Sequence, residues 1–366
     1  MNGGIDPRLG ETATQEQRIA AAAEANPDAA GALVSVRELK LSIGGEEGAF
    51  EPVTGATLHV KQGELLGVVG ESGSGKSLTL RAIAGLLPPA IHYRSGEVRV
   101  AGIDVPSAKG ADLRRLHGEA VGIIFQEPMS ALNPTMRVGE QIAEAARAHK
   151  DLSKKESKRK AIELLERMGF TEPKTRYKLY PHELSGGMRQ RVMIAIALAG
   201  EPKLLLCDEP TTALDATVTM RVLDLLVGLA RDLDIAIVFV THDLGVAARI
   251  CDRIVVMYSG RMVEEGPASE VLRRPRHPYT LALLQAVPTK ETTIEELRAI
   301  PGSPPAPDEQ IAGCPFQPRC DYALAECADP VELVPIGPER MSACRRQALL
   351  GEMVKRANGS RETADA

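Results

Sequence analysis

Gly70-Glu71-Ser72-Gly73-Ser74-Gly75-Lys76-Ser77 follows directly on the apolar run Leu65–Val69 and leads straight into Leu78-Thr79-Leu80-Arg81-Ala82-Ile83-Ala84. The stretch has the form G-x-x-x-x-G-K-[ST], set between a strand and a helix, which is the context the mechanism needs. Glycines let successive backbone N–H groups turn inward around phosphate oxygens, and the helix N-terminus adds its partial positive charge. Lys76 is expected to reach the β- and γ-phosphates of a nucleoside triphosphate, and the Ser77 hydroxyl to hold Mg2+. All eight residues are therefore expected to line a nucleotide cradle.

Working outward, strand-like runs recur at 33–41, 56–60, 121–125, 203–207, 235–240 and 254–258, with helix-like segments between most of them. This alternation predicts an α/β domain with a mixed, mostly parallel sheet. Between Glu127 and about Ala199 the strand signals stop, and segments such as Ser157–Met168 read as helix. The expectation is a helical insertion over about 127–199. The basic run Lys154–Lys160 within it reads as a solvated helix face rather than a nucleic-acid site. After Gly266 the chain turns Pro-rich, with Pro301, Pro304, Pro305, Pro307, Pro315 and Pro318 breaking regular structure. The domain reading is a tail over 1–31, an ATPase domain over 32–266, a C-terminal module over 267–355 and a polar tail over 356–366.

Composition bounds the function. The 366 residues are 44 % hydrophobic but only 3 % aromatic with no Trp, so the core must be aliphatic. A net charge of −5 and a pI near 5.9 argue against a duplex-binding protein. No run approaches the roughly 18 apolar residues that span a bilayer, and no basic-then-apolar leader opens the chain. A cytosolic chain that meets the membrane through partners is expected. Cys207 and Cys251 sit alone in apolar segments and read as core; the other four cysteines cluster near the C-terminus.

Leu204-Leu205-Leu206-Cys207-Asp208-Glu209-Pro210 is an apolar run that ends in two acids. A buried strand delivers its terminal carboxylate to the C-terminal edge of the sheet, beside the phosphate loop. Asp208 is then expected to bind Mg2+ through its outer shell, and Glu209 to be the general base for an attacking water. Leu184-Ser185-Gly186-Gly187-Met188-Arg189-Gln190-Arg191 precedes the helical run Val192–Ala199 and forms a second anion-binding geometry.

One nucleotide site has no use for two phosphate cradles from one subunit. The motif set resembles the ABC ATPases, whose signature is LSGGQ with Gln or Met at its last position. The resemblance implies that two cassettes pack head to tail, with Ser185, Gly186 and Gly187 of each closing over the nucleotide on the other's phosphate loop. It also implies that Phe125-Gln126-Glu127 is the Q-loop, Gln126 touching Mg2+ and the water. Ala213-Leu214-Asp215 matches the loop that bridges the two cassettes. Thr241-His242-Asp243 matches the switch histidine, which contacts the γ-phosphate. The resemblance covers about Ala32 to Gly266. The family stacks an aromatic ring on adenine from upstream of the loop, where Phe50 is the only aromatic residue.

Finer features narrow the class. Phe125–Pro134, the Met of the signature and Glu209–Asp215 look like ATPase subunits of dipeptide and oligopeptide importers, and more closely like the first of the two unlike ATPase subunits such systems carry. Arg276-His277-Pro278-Tyr279-Thr280, Leu281–Val287 and Pro301-Gly302-Ser303-Pro304-Pro305 resemble the C-terminal extension of that subfamily, taking the likeness to about Cys344. Cys314, Cys320, Cys327 and Cys344 are spaced C-x5-C-x6-C-x16-C, without the C-x2-C pairs of zinc ribbons. Four thiolates on a loop-rich segment suit a [4Fe–4S] cluster, which the resemblance also implies, with Zn2+ or free or oxidised thiols as alternatives. The implied partners are a second, homologous ATPase subunit forming a heterodimer, two transmembrane permease subunits and, indirectly, a peptide-binding protein. Nucleic acid is not among them. The implied place is the cytoplasmic face of the membrane. Two other readings are a nickel or other small-solute importer ATPase and a soluble ABC ATPase. The four-cysteine extension tilts against the first; a single cassette, the lack of heptads and the acidic balance tilt against the second.

Overall fold

The computed structural model describes residues 31–44, 50–126, 131–210, 215–287, 299–306, 309 and 311–351. The two expected tails, apart from Gly31, lie outside the described residues, as do Glu127–Ser130 and Ala213-Leu214. Strands β1 (Val34–Ile43) and β2 (Phe50–Val60) pair antiparallel. Strand β3 (Leu65–Val69) leads through the glycine-rich loop into α1 (Lys76–Ala84). Strands β4 (Ile91–Val100) and β5 (Ile103–Asp104) complete a four-stranded antiparallel sheet of order β2-β1-β4-β5. Helix α2 (Ala111–Arg115) then leads to β6 (Val121–Ile124).

After β6 comes a helical layer of α3 (Val138–His149), α4 (Lys154–Arg167), α5 (Pro173–Arg176) and α6 (Gly186–Leu198). Ser153 caps α4 in a reciprocal box with Glu156, satisfying two orphan N–H groups of the first turn. Lys154, Lys155, Lys158 and Arg159 of this helix are exposed, while Ala161, Leu164 and Leu165 face inward. The basic run is a solvated face, as its spacing predicts.

Strand β7 (Leu204–Asp208), α7 (Ala216–Asp232), β8 (Ala236–Thr241), α8 (Leu244–Ile250), β9 (Arg253–Tyr258) and β10 (Arg261–Pro267) follow. The main sheet has the order β11-β12-β10-β9-β3-β8-β7-β6. Its β9-β3-β8-β7-β6 block is parallel, and β10, β11 and β12 add to it antiparallel. Both faces of the parallel block are covered, so its strands are apolar throughout. Alternation still sorts them: Leu65, Val69, Ile237 and Phe239 join one core, and Leu66, Val68, Val238 and Val240 the other. The antiparallel strands β4 and β10 have no such runs, because half of each carries polar or small residues, so hydrophobic pattern alone does not mark them.

The chain after β10 runs through α9 (Ala268–Arg273) and α10 (Pro278–Gln285) and returns as the hairpin β11 (Val334–Gly337) and β12 (Arg340–Ser342). Strand β12 pairs with β10, Glu264 opposite Ser342. The Pro-rich segment leans on the rest of the chain: its hairpin extends the main sheet, and Phe316 packs in the larger core. Glu264 is fully buried at this seam. Its carboxylate accepts from Arg276 N (2.8 Å), His277 N (2.9 Å) and the Arg340 guanidinium (2.8 Å). Burial raises the Glu264 carboxyl above its ordinary range, opposed by these donors. Burial likewise pushes the His277 imidazole down to about 3, so its Nδ1 accepts from Tyr279 N in the neutral form. Removing one member of a buried charge pair leaves the other uncompensated. Glu264→Ala should therefore lower the unfolding free energy by about 3 kcal/mol in urea titration and open the extension to limited proteolysis. An unchanged urea midpoint would show that Glu264 does not hold the seam.

Candidate functional site

The parallel order β6-β7-β8-β3 aligns four carboxyl ends along one edge, the position where open α/β sheets bind ligands. The loop after β3 carries Gly70–Lys76. Asp208 closes β7 and Glu209 follows it, His242 follows β8, and Gln126 follows β6 by two residues. Segments far apart in sequence therefore meet.

Gly70 is required where it stands. Its φ is +153°, and a Cβ there would lie 2.2 Å from the Met257 carbonyl oxygen of β9. Lys76 is buried and folds back over the loop, donating to the carbonyls of Gly70 (2.9 Å) and Glu71 (2.7 Å). Burial lowers the Lys76 ammonium below its ordinary range, opposed by the nearby carboxylates of Glu209, Asp208 and Glu71. The Ser77 hydroxyl donates to Asp208 Oδ1 at 2.7 Å. A hydroxyl and a carboxylate side by side offer the hard oxygen donors that suit Mg2+.

Glu209 adopts φ +45°, uncommon for a residue with a Cβ. Its N–H donates to Val240 O, which ties the turn to β8. One carboxylate oxygen, Oε2, lies 3.2 Å from His242 Nδ1 and 3.5 Å from Gln126 Nε2. Three residues picked separately from sequence thus converge on one atom beside the Ser77–Asp208 pair.

The signature residues lie elsewhere. Ser185 caps α6, its Oγ accepting from Met188 N at 3.4 Å. Ser185 and Gly186 are exposed. A Cβ on Gly187 would meet Val218 Cγ1 of α7 at 2.4 Å. Asp215 caps that same helix, accepting from Val218 N at 2.9 Å. Ser185–Gly187 and Asp215 therefore form a second cluster on neighbouring helix N-termini. Phe50 opens β2 and is half-buried.

None of the six cysteines is paired in a disulfide. Cys207 and Cys251 are buried in the core, and burial pushes the Cys251 thiol up to about 12. Cys314, Cys320, Cys327 and Cys344 line one pocket with Phe316 and His277. Burial, with the mutual repulsion of the neighbouring sulfurs, raises Cys320 to about 11 and Cys344 to about 12. Among the described residues, no three His, Cys, Asp or Glu side chains are set to hold a single metal ion as they stand.

Sequence reasoning placed Tyr279 in the motif Arg276–Thr280 but gave it no role, and it missed Arg319; both reach the phosphate loop from the extension. Tyr279 Oη accepts from Glu71 N at 2.7 Å, and Arg319 grips the Glu71 carboxylate at 2.8 and 3.1 Å. No local pattern tells of either contact, since each partner lies about 200 residues or more away. Among the described residues, no helix is long and apolar enough to cross a membrane.

Comparison with known proteins agrees with this geometry. Residues 53–212 match the family described as ABC transporter, and 263–327 match the family described as oligopeptide/dipeptide transporter, C-terminal region. An oligopeptide transport ATP-binding protein OppD of Bacillus subtilis is 46 % identical over 294 residues, covering 80 % of this chain and 82 % of the relative. Its Salmonella typhimurium counterpart is 44 % identical over 337 residues, 92 % of this chain and 97 % of the relative. Among solved structures, a dimeric post-hydrolysis state of the ATP-binding cassette MJ0796 bound to ADP and Pi is similar, at 29 % identity and a TM-score of 0.57. It covers 64 % of this chain and 98 % of its own. With a nucleotide-type loop, two acids, a glutamine and a histidine on one sheet edge, and with relatives matched nearly end to end, the chain belongs to the ABC transporter family, among the ATP-binding proteins of oligopeptide and dipeptide transport.

Proposed function

We propose that this chain is the ATP-hydrolysing motor subunit of a membrane importer of di- and oligopeptides, with Glu209 as the general base. The observation that carries the reading is the convergence of Gln126 and His242 on Glu209 Oε2, beside Ser77 and Asp208. The loop Gly70–Ser77 holds the triphosphate, with Lys76 leaving its loop carbonyls for the β- and γ-phosphates. Ser77, with Asp208 and Gln126 in support, would hold Mg2+, which would supply positive charge against the triphosphate. Glu209 takes a proton from the water as its oxygen attacks the γ-phosphorus, and the bond to the ADP oxygen breaks. Gln126 and His242 keep that carboxylate oriented, and His242 also faces the γ-phosphate.

Ser185, Gly186, Gly187 and Asp215 are assigned to the partner's nucleotide across a head-to-tail dimer. Support comes from the exposure of Ser185, Gly186 and Asp215 and from the dimeric state of the similar cassette. The partner is a second, unlike ATPase subunit, this chain being the first of the two, and two permease subunits complete the complex on the cytoplasmic face of the membrane. The helical layer around 127–199 takes up their motion through Gln126 and the segment Met129–Met136, of which Met129 and Ser130 lie outside the described residues. The division into 32–266 and 267–355 is kept as a division of labour, with hairpin β11–β12 shared between them.

The extension is assigned a [4Fe–4S] cluster on Cys314, Cys320, Cys327 and Cys344. The support is the donor set: four cysteine thiols that line one pocket, the ligand number such a cluster takes. When bound, the cluster supplies a cross-link among thiolates that otherwise repel one another.

Three measurements test these assignments. ATPase activity of the complex purified from native membranes should rise with peptide-loaded binding protein. Activity raised only by ribosomes or nucleic acid would overturn the transport reading. Glu209→Gln should lower turnover at least about a hundredfold while nucleotide still binds; near wild-type hydrolysis would remove Glu209 as base. Cys320→Ser should lower iron content and destabilise the extension. Zinc in place of iron in the wild-type chain, or iron unchanged in the variant, would overturn the cluster.

A further inference from the structure

Glu71 is the second residue of the phosphate loop, and its three polar groups are all engaged. Its carbonyl accepts from Lys76 Nζ at 2.7 Å. Its N–H donates to Tyr279 Oη at 2.7 Å, so that amide is turned toward the extension. Its carboxylate accepts from both terminal nitrogens of Arg319, at 2.8 and 3.1 Å. Arg319 is itself locked. Its Nε donates to Pro301 O at 2.7 Å, a second donor reaches Tyr258 Oη at 3.1 Å, and its guanidinium lies 5.8 and 5.9 Å from the ring centres of Tyr258 and Phe316. The Arg319 side chain is only 5 % exposed, against 26 % for Glu71. Next to this contact is a cleft lined by Glu71, Ser72, Gly73 and Ser74 together with Pro304 and Pro305.

A carboxylate in a loop that must bind a polyanion is an electrostatic liability. At short range, and with little water between, like charges repel by several kcal/mol. A bidentate guanidinium is the side chain best shaped to cancel that charge while fixing its position. We propose that Arg319 is a positioning residue for the ATPase reaction: it neutralises Glu71 and holds the first turn of the phosphate loop in the shape that binds nucleoside triphosphate. The extension thereby sets nucleotide affinity through a contact distinct from its cysteines. This inference rests on the reading of residues 70–77 as the nucleotide site.

The test uses the intact transporter complex and reads KM for MgATP apart from kcat. Arg319→Gln leaves Glu71 charged and unpaired, and should raise KM about tenfold, the size expected from losing hydrogen bonds to a charged group, with a much smaller change in kcat. Adding Glu71→Gln removes the exposed charge and should return KM to within about threefold of wild type. Arg319→Lys keeps the charge but not the fork and should fall between. A residue that merely supports the fold of the extension predicts no rescue, because Glu71→Gln mends nothing there. A wild-type KM in Arg319→Gln, or a raised KM that Glu71→Gln leaves in place, overturns the proposal. Lys76→Ala separates the two readings: if it binds nucleotide as wild type does, the nucleotide site itself is misassigned. If it abolishes binding while Arg319→Gln is silent, only the role of Arg319 falls.

Discussion

The Ser77 hydroxyl and the Asp208 carboxylate are hydrogen-bonded at 2.7 Å although 131 residues separate them. The contact exists because β3 and β7 flank β8 in one parallel sheet, so that the carboxyl ends of all three lie on one edge. The rest of the site depends on the same constraint. Parallel pairing in register, Leu65 opposite Ile237 and Leu205 opposite Ile237 from the other side, sets the height at which each strand releases its loop. Slipping β7 by one residue would turn Leu205 and Cys207 to the opposite core and carry Asp208 away from Ser77. The apolar content of these strands, buried on both faces, resists that slip.

Around this frame the chain spends unusual backbone conformations where chemistry needs them. Gly70 lets the loop pass against the Met257 carbonyl, where no Cβ fits. Glu209 accepts a left-handed φ that aims its carboxylate at Gln126 and His242 instead of continuing β7. Such a conformation costs on the order of 1 kcal/mol and persists because the tie from Glu209 N to Val240 O and the surrounding sheet hold it. Gly187 serves packing instead: it lets α6 approach Val218, bringing the capped N-termini of α6 and α7 together.

The extension is joined to this frame by polar and aromatic contacts as well as by its hairpin. Glu264 gathers two backbone N–H groups and Arg340 inside the seam. Tyr258 of β9, Tyr279 of α10 and Phe316 beside the cysteines meet with ring centres 4.5 to 5.3 Å apart. In a chain with only five Phe and six Tyr, this concentration of rings marks the junction as a packed interface. Tyr279 and Arg319 carry the contact onward to Glu71, so the segment that composition set apart reaches the nucleotide loop itself.

Local sequence carries the loop Gly70–Ser77, the acidic end of β7, the Ser185–Gly187 turn before α6, the solvated face of α4 and the aliphatic parallel strands. These depend on φ/ψ freedom, capping chemistry and hydrophobic period, all carried by residues next to one another in the chain. It also brought Gln126 and His242 into view, through the resemblance of their motifs. What the fold alone supplies is that both meet on a single oxygen of Glu209, that β12 pairs with β10, and that Arg319 reaches Glu71 across 248 residues. Those outcomes follow from strand order, from which sheet edge remains open to pairing, and from the need of each buried charge for an opposite partner. The partner is chosen by proximity in space, and no local pattern of residues encodes that proximity.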